Sequence, residues 1–122
     1  MTTKRSLRVA RLIKKDISDI IREDVRDPDI GMLTVTKVIV SPDLKNAKIY
    51  LSVIGDQMIR EKTFLALERA KSFIRTALGH RGNFRYTPEL RFFYDDTMDY
   101  VYSIERLIKK AQQKDNLEGG MK

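Results

Sequence analysis

The 122-residue chain contains no cysteine and no tryptophan, one histidine and three prolines. Without cysteine it has no disulfide, no thiol redox centre and no cysteine-ligated zinc site. No stretch approaches the roughly 18 apolar residues of a membrane-spanning helix, and the N-terminus lacks the apolar core of a signal peptide. The length suits one domain with a core of its own. These absences favour a soluble, cytoplasmic protein that needs no structural metal.

Basic residues outnumber acidic ones. The chain has 24 Lys and Arg against 17 Asp and Glu, which gives a formal net charge of +7. The surplus lies in two blocks: residues 1–26 carry eight basic and four acidic groups, and residues 69–91 carry six and one. The remaining segments, 27–68 and 92–122, are almost neutral. A segregated basic surplus favours a polyanionic partner, nucleic acid before an acidic membrane surface.

Hydrophobic periodicity predicts a long amphipathic helix over residues 5–25, with apolar side chains recurring at three- and four-residue spacing on one side. Basic side chains fall within an arc of roughly 60° on another side of this helix. They are Lys4, Arg8, Arg11, Lys15, Arg22 and Arg26. This stripe is either an RNA-contacting edge or the exposed face that any amphipathic helix has.

Two runs rich in β-branched residues, LTVTKVIV and AKIYLSVI, flank the turn sequence Ser41-Pro42-Asp43 and predict a β-hairpin. A second helical region covers residues 57–80, and the segment ELRFFY predicts a third strand. Helices are expected to cover one face of the resulting sheet. The opposite face, with Lys37, Lys48 and Tyr50, meets either solvent or a ligand, and solvent is the simpler explanation.

The C-terminal region predicts a last helix over residues 98–111, with Asp96 or Thr97 as its cap. The polar segment 112–122 is expected to be a disordered tail. The chain is therefore expected to form one α+β domain over residues 1–111.

The order and spacing of several segments resemble the bacterial ribosome-binding factor A family. The resemblance covers residues 7–108 and is carried by four segments in a fixed order. They are DP with LTVTKVIVSPDLKNAKIYLSV, ALERAKSFIRTAL, RYTPELRFFYDDT and YSIERLI. It implies a monomeric, KH-like (type II) domain of the form α-β-β-α-kink-α-β, with a three-stranded sheet and a C-terminal helix.

Three positions depart from the family pattern. The kink between the helices, Ala-x-Gly in the family, is Ala70-Lys71-Ser72 here, so a residue with a Cβ replaces the flexible glycine. The usual Asp-Pro-Arg is Asp27-Pro28-Asp29, which exchanges a cation for an anion. A glycine expected near the start of the last helix is Val101.

The resemblance implies a role in assembly of the small ribosomal subunit. The chain is expected to bind the immature 30S subunit and its 16S rRNA and to assist late rRNA processing and maturation. The resemblance also implies a particular importance in cold adaptation, and release that depends on other factors such as assembly GTPases. No membrane partner is expected.

In a KH-like domain the junction at Ala70-Lys71-Ser72 lies beside the RNA-binding side. The segment RAKSFIRTALGHRGNFR, residues 69–85, contains five Arg or Lys, one His and no acid, so its cations are expected to be unpaired and free to contact phosphates. The predicted RNA-binding residues are Arg69, Lys71, Ser72, Arg75, His80, Arg81 and Arg85, with Lys4, Arg8, Arg11 and Lys15 as a second edge. The alternative is a solvated basic helix end followed by a mobile loop. Phe73 is expected in the core, whereas Phe84 and Tyr86 suit either packing or base stacking.

Catalytic interpretations have little support. Asp95, Asp96 and Asp99 could hold Mg²⁺ in a nuclease, but capping of the last helix explains them more simply. His80 is the one histidine, and neither common nucleotide-binding glycine motif is present. We therefore expect a non-enzyme without cofactor or metal. The rival functions are a general single-stranded RNA or DNA chaperone and, less simply, the nuclease.

Overall fold

The computed structural model describes residues 3–82, 84–97, 108–109 and 111–112. Its elements in chain order are helix α1 (Lys4–Glu23), strand β1 (Leu33–Val40), strand β2 (Asn46–Val53), helix α2 (Gln57–Gly82) and strand β3 (Glu89–Tyr94). The prediction of an α+β fold with a three-stranded sheet is confirmed. Most of the predicted last helix, with Asp99 and Val101, and nearly all of the predicted tail lie outside the described residues.

Helix α1 begins with a reciprocal cap that periodicity alone does not reveal. The Thr3 hydroxyl accepts from the Ser6 N–H at 3.0 Å, and the Ser6 hydroxyl accepts from the Thr3 N–H at 2.8 Å. Each bond satisfies a backbone donor that the first turn would otherwise leave without a partner. The side of α1 that faces the sheet is buried, as the periodicity predicts. Its apolar members are Ala10, Ile13, Ile17, Ile20 and Ile21.

The sheet has the order β1-β2-β3, with β1 and β2 antiparallel and β2 and β3 parallel. Thr36 is an extra residue in β1, where the pairing shifts between Val35 and Lys37. Alternate residues of β2 are buried, as predicted, and face α1 and α2 together with Leu90 of β3. The opposite side of the sheet carries polar, basic and aromatic side chains.

Helix α2 is one continuous helix of 26 residues. The prediction that a kink at Ala70-Lys71-Ser72 separates two helices is wrong for this chain, since these residues lie within unbroken α-helix. Serine costs a helix less than glycine does, and the glycines of α2, Gly79 and Gly82, stand in its last turn. No interior residue of α2 therefore favours a departure from helical backbone.

A buried threonine joins α2 to the loop before β1. The Thr63 side chain is fully buried, and its hydroxyl donates to the Ile59 carbonyl at 2.8 Å. The same oxygen accepts from the Gly31 N–H at 3.0 Å. A side chain at Gly31 would crowd this approach, because an added Cβ would lie 3.0 Å from Ile59 Cγ2 and Ile59 would have to shift by a few tenths of an ångström. The hydroxyl thus fixes a close approach between loop and helix.

We expect Thr63→Val to lower the free energy of unfolding by about 1–3 kcal/mol, because the part-buried Gly31 N–H loses its acceptor. Thr63→Ser keeps the hydroxyl and serves as the matched control, with a smaller loss from the missing methyl group. Urea denaturation of the three proteins measures the difference. Equal stability of wild type and Thr63→Val would show that this bond contributes nothing net.

Candidate nucleic-acid interface

The first half of helix α1 presents basic side chains with no acid among them. All are exposed, and Asp16 is the first acidic residue of the chain. Within the described ranges, none of these cations has a carboxylate at ion-pair distance. We call this surface the basic end of α1. It consists of Lys4, Arg5, Arg8, Arg11, Lys14 and Lys15.

The basic end of α1 opposes the electrostatic preference of a helix. A helix N-terminus carries partial positive charge, and the first turn of α1 has no acidic residue to balance it. Lys4 and Arg8, like Arg11 and Lys15, are four residues apart, so like charges are neighbours on the helix surface. Each such arrangement costs about 0.2–1 kcal/mol. A polyanion bound along this face would relieve that repulsion.

The predicted stripe on α1 changes character towards its end. Arg22 forms an ion pair with Asp19 at 2.7 Å and lies 3.5 Å from Glu23. Arg26 follows the helix and is exposed. Arg22 is therefore the paired member of the stripe within the described residues, and its N-terminal half, where Lys4, Arg8, Arg11 and Lys15 were predicted as RNA contacts, has no carboxylate partner.

The expectation that the cations of residues 69–85 are unpaired is wrong for four of the five, which are Arg69, Lys71, Arg75 and Arg81. Arg69 Nη2 lies 3.2 Å from Asp27 Oδ2 and 3.1 Å from Asp29 Oδ2. The anion at Asp29, which departs from the family pattern, is thereby explained as a partner of Arg69. The Asp29 N–H also donates to Asp27 at 3.0 Å. That bond and, less strongly, Arg69 hold the pKa of Asp27 below its ordinary value.

Two further cations of α2 are also neutralised. Lys71 Nζ lies 2.8 Å from Glu68 Oε2 on the same helix. Arg81 approaches three carboxylates near the end of α1 at 3.4–3.8 Å. They belong to Asp19, Glu23 and Asp24. These pairs lie at the surface and are at least partly exposed, and surface pairs typically contribute only about 0–1 kcal/mol, so a phosphate could replace the carboxylate partners.

Arg75 has a structural role that the sequence does not reveal. Its Nη2 donates to the Thr87 carbonyl at 2.7 Å and its Nε to the Pro88 carbonyl at 3.1 Å. Glu89 Oε1 lies 3.3 Å from the same guanidinium. Arg75 therefore fastens the loop before β3 to helix α2. Backbone carbonyls carry no sequence signal, so composition could not have indicated this role.

The remaining predicted contacts, Ser72, His80 and Arg85, are exposed. The Arg85 guanidinium lies 5.6 Å from the centre of the Tyr86 ring, and Tyr86 is 77% exposed. Phe84 packs partly against the core.

Phe73 corrects one of the sequence predictions. It is not a core residue but is 52% exposed, on a shallow groove of about 310 Å³ beside Arg69 and Ala70. Ile74 and Leu78 are instead the core residues on this part of α2. Phe73 and Tyr86 thus leave aromatic surface accessible near the paired cations of α2.

One member of the predicted carboxylate cluster Asp95, Asp96 and Asp99 has a structural role, namely Asp95. Asp95 accepts a backbone N–H, that of Thr97, at 3.0 Å. Its second oxygen accepts from the Thr36 hydroxyl at 2.6 Å. Among the described residues, no group of three His, Cys, Asp or Glu could hold a metal ion. The same part of the chain contains no helix long and apolar enough to cross a membrane.

Hydrogen bonds from Thr36 and then Thr97 lower the pKa of Asp95 from 3.8 to about 2. Because the folded pKa is depressed, ionised Asp95 stabilises the fold above its ordinary pKa, and this contribution is lost as the pH falls from about 4 towards 2. We expect Thr36→Val to raise the Asp95 midpoint in a carboxyl-carbon NMR titration. Asp43, whose pKa is lowered mainly by Ser41, is the internal control and should not change. An unchanged Asp95 midpoint would contradict the assigned cause.

Comparison with known proteins identifies a family. A family model described as ribosome-binding factor A matches residues 5–108. A protein of that name from Halothermothrix orenii is 44% identical over 115 residues, which cover 94% of this chain and 94% of the relative.

Solved structures of ribosome-binding factor A are also similar to this chain. The crystal structure of ribosome-binding factor A from Thermus thermophilus matches with a TM-score of 0.66 and 26% identity, covering 73% of this chain and 93% of that one. A Thermus thermophilus ribosome-binding factor A homology model, fitted into a cryo-electron-microscopy map of its complex with 30S, matches with a TM-score of 0.61 and 27% identity. That match covers 70% of this chain and 90% of the other.

Proposed function

The chain belongs to the ribosome-binding factor A family, and from this premise we propose that it binds the immature 30S ribosomal subunit through RNA. The observation that supports the proposal is the basic end of α1, an exposed surface of cations without acidic partners in the described part of the chain. The similar Thermus thermophilus ribosome-binding factor A was fitted into a map of its complex with 30S, which supports the small subunit as the partner. Phosphate neutralisation supplies the binding energy.

Within this proposal the domain is a KH-like monomer whose second helix is continuous. RNA contacts the basic end of α1 first, because those cations have no carboxylate to release. The cations of α2 form a second contact area, in which phosphate exchanges for carboxylate at Arg69, Lys71 and Arg81. Arg75 contributes its charge there while it stays bonded to the loop before β3, and Ser72, His80 and Arg85 lie beside these cations.

Occupancy is the proposed mechanism. The bound protein holds segments of 16S rRNA during late processing and maturation, which matters most in the cold, where misfolded RNA rearranges slowly. It acts without catalysis or cofactor, since a bound protein alone can keep RNA segments apart. Release depends on other assembly factors, for which GTPases are the proposed class.

Sedimentation through a sucrose gradient tests the proposed partner. The purified protein is mixed with immature 30S, mature 30S, 50S or 70S particles at roughly 100 mM salt, where phosphate contacts still contribute strongly. We expect comigration with small subunits and a preference for the immature ones. Equal comigration with all particles, or with none, would contradict a small-subunit factor.

A competition with unstructured RNA separates this function from a general single-strand chaperone. An assembly factor should stay on the particle at oligonucleotide concentrations that match the total RNA phosphate of the subunits. Complete displacement under those conditions would favour the chaperone. The exposed rings of Phe73 and Tyr86 favour this second function, because unpaired bases of any sequence can stack on them.

A further inference from the structure

We propose that the side of the sheet away from α1 and α2 is a second binding surface, which stacks bases of single-stranded RNA. The inference rests on the proposed function for the choice of RNA as partner. It concerns a different side of the molecule from the helical cations. We call this surface the outer sheet face. Its central side chains are Lys37, Ile39, Lys48, Tyr50, Arg91 and Phe93, and Thr34, Asn46, Ser52 and Glu89 lie towards its ends.

An aromatic pair lies at the centre of the outer sheet face. Tyr50 of β2 and Phe93 of β3 are direct partners in the parallel register. Their ring centroids are 5.4 Å apart with an interplanar angle of 25°, and Phe93 is 36% exposed. Aromatic side chains on adjacent strands of an open sheet are how one common class of RNA-binding domain stacks unpaired bases. The pair gives the outer sheet face a comparable platform.

Two cations are held directly opposite each other beside this pair. Lys48 and Arg91 are register partners, two residues before Tyr50 and Phe93 on their strands. Their Cα atoms are about one strand spacing apart and their side chains share one face, so the two like charges repel each other. Neither has a carboxylate at ion-pair distance within the described residues, and Glu89 is engaged by Arg75 at 3.3 Å. An anion between Lys48 and Arg91 would relieve their repulsion.

The spacing of charge and ring suits one nucleotide. Two residues along a strand advance roughly 7 Å, so a phosphate between Lys48 and Arg91 leaves the attached base within reach of the rings. Lys37 adds a third cation, with its Nζ 5.7 Å from the centre of the Tyr50 ring. The acid at the far end of this face, Asp95, is turned to Thr36 and Thr97.

The same features disfavour other occupants. An apolar protein surface would bury Lys48 and Arg91 without a counter-charge, which is costly. A second copy of this chain, packed face to face, would bring its own cations against them. Duplex RNA offers phosphates but no unstacked base for Phe93. Single-stranded RNA supplies both the anion and the ring.

Fluorescence anisotropy with a labelled decauridine and a labelled abasic strand of equal length separates stacking from charge. We expect wild type to prefer decauridine, and Phe93→Thr to bind decauridine about tenfold more weakly with little change for the abasic strand. Lys48→Gln with Arg91→Gln should weaken both probes. Lys45→Gln with Lys62→Gln removes the same charge elsewhere and should weaken them less.

Photocrosslinking of a 4-thiouridine oligonucleotide should label the peptides that contain Tyr50 or Phe93. Wild-type decauridine affinity in Phe93→Thr, or labelling confined to other peptides, overturns the inference. If wild type were a dimer and Phe93→Thr a monomer that still bound RNA, the inference would also be overturned. The outer sheet face would then be a contact between two copies of the chain. The proposed function is judged separately, by sedimentation with small subunits, so either can fail while the other stands.

Discussion

Reversing Arg8, Arg11 and Lys15 to glutamate should remove the protein from the small subunit. These side chains project from the face of α1 opposite its buried isoleucines, so the substitution touches no core contact. We expect binding to weaken by about a hundredfold or more at roughly 100 mM salt, because three phosphate contacts become repulsions. The slope of log affinity against log salt concentration should also become shallower by about two to three units. Cosedimentation across a salt series measures both effects.

The same variant should be at least as stable as wild type, because glutamate in the first half of a helix interacts favourably with its positive end. This separates lost binding from lost folding, since thermal unfolding should show no decrease in midpoint. Arg8→Lys with Arg11→Lys keeps the charge and should keep most of the affinity. Full cosedimentation of the reversed variant would exclude the basic end of α1 as the interface.

Local pattern predicted the framework of the fold well. The three- and four-residue spacing of Ile13, Ile17 and Ile20 located the buried face of α1, and alternation located the inner face of β2. Both depend on the geometry of one element, which the sequence specifies directly. The continuous α2 was missed because its kink was inferred from the family and not from the residues. Ser72 and its helix-forming neighbours favour an unbroken helix.

The candidate site was predicted less completely, for a different reason. Counting charges along the sequence located both basic blocks. It could not predict which acidic residues from distant segments the fold would bring beside them. Asp27 and Asp29 reach Arg69 from 42 and 40 residues away, and Asp24 reaches Arg81 from 57. Within the described residues, the basic end of α1 has no such partner, because the acids that follow it on the helix, Asp19 and Glu23, pair with Arg22 and Arg81. Only tertiary structure distinguishes the two blocks.

The outer sheet face illustrates the same limit. Alternation in β2 placed Lys48 and Tyr50 on one side, but the parallel pairing of β2 with β3 brings Arg91 and Phe93 beside them. That pairing depends on how α2 returns the chain to the sheet, which no local pattern specifies. Solvent was the simpler explanation for Lys37, Lys48 and Tyr50 until Arg91 and Phe93 were known to be their neighbours.

Truncating Ile17 to alanine should cause the largest loss of stability among the substitutions considered. Ile17 is 0% exposed and lies at the middle of the apolar face of α1. Alanine removes buried methyl groups and leaves a cavity that the packed sheet cannot close, at a cost of about 2–5 kcal/mol. A domain of this size has about 5–15 kcal/mol in total. Urea denaturation should show a lower midpoint with an unchanged slope.

Leu12→Ala is the matched control, because it truncates an aliphatic residue on the same helix that is 54% exposed. Alanine has a slightly higher helix propensity than leucine, so little stability should be lost there. A large loss at Ile17 with little at Leu12 would mean that α1 is held by its apolar face, leaving the basic face free for a partner. Comparable losses at both positions would instead show that residues on the exposed side also hold α1 in place, which would weaken the case for the basic end as a binding surface.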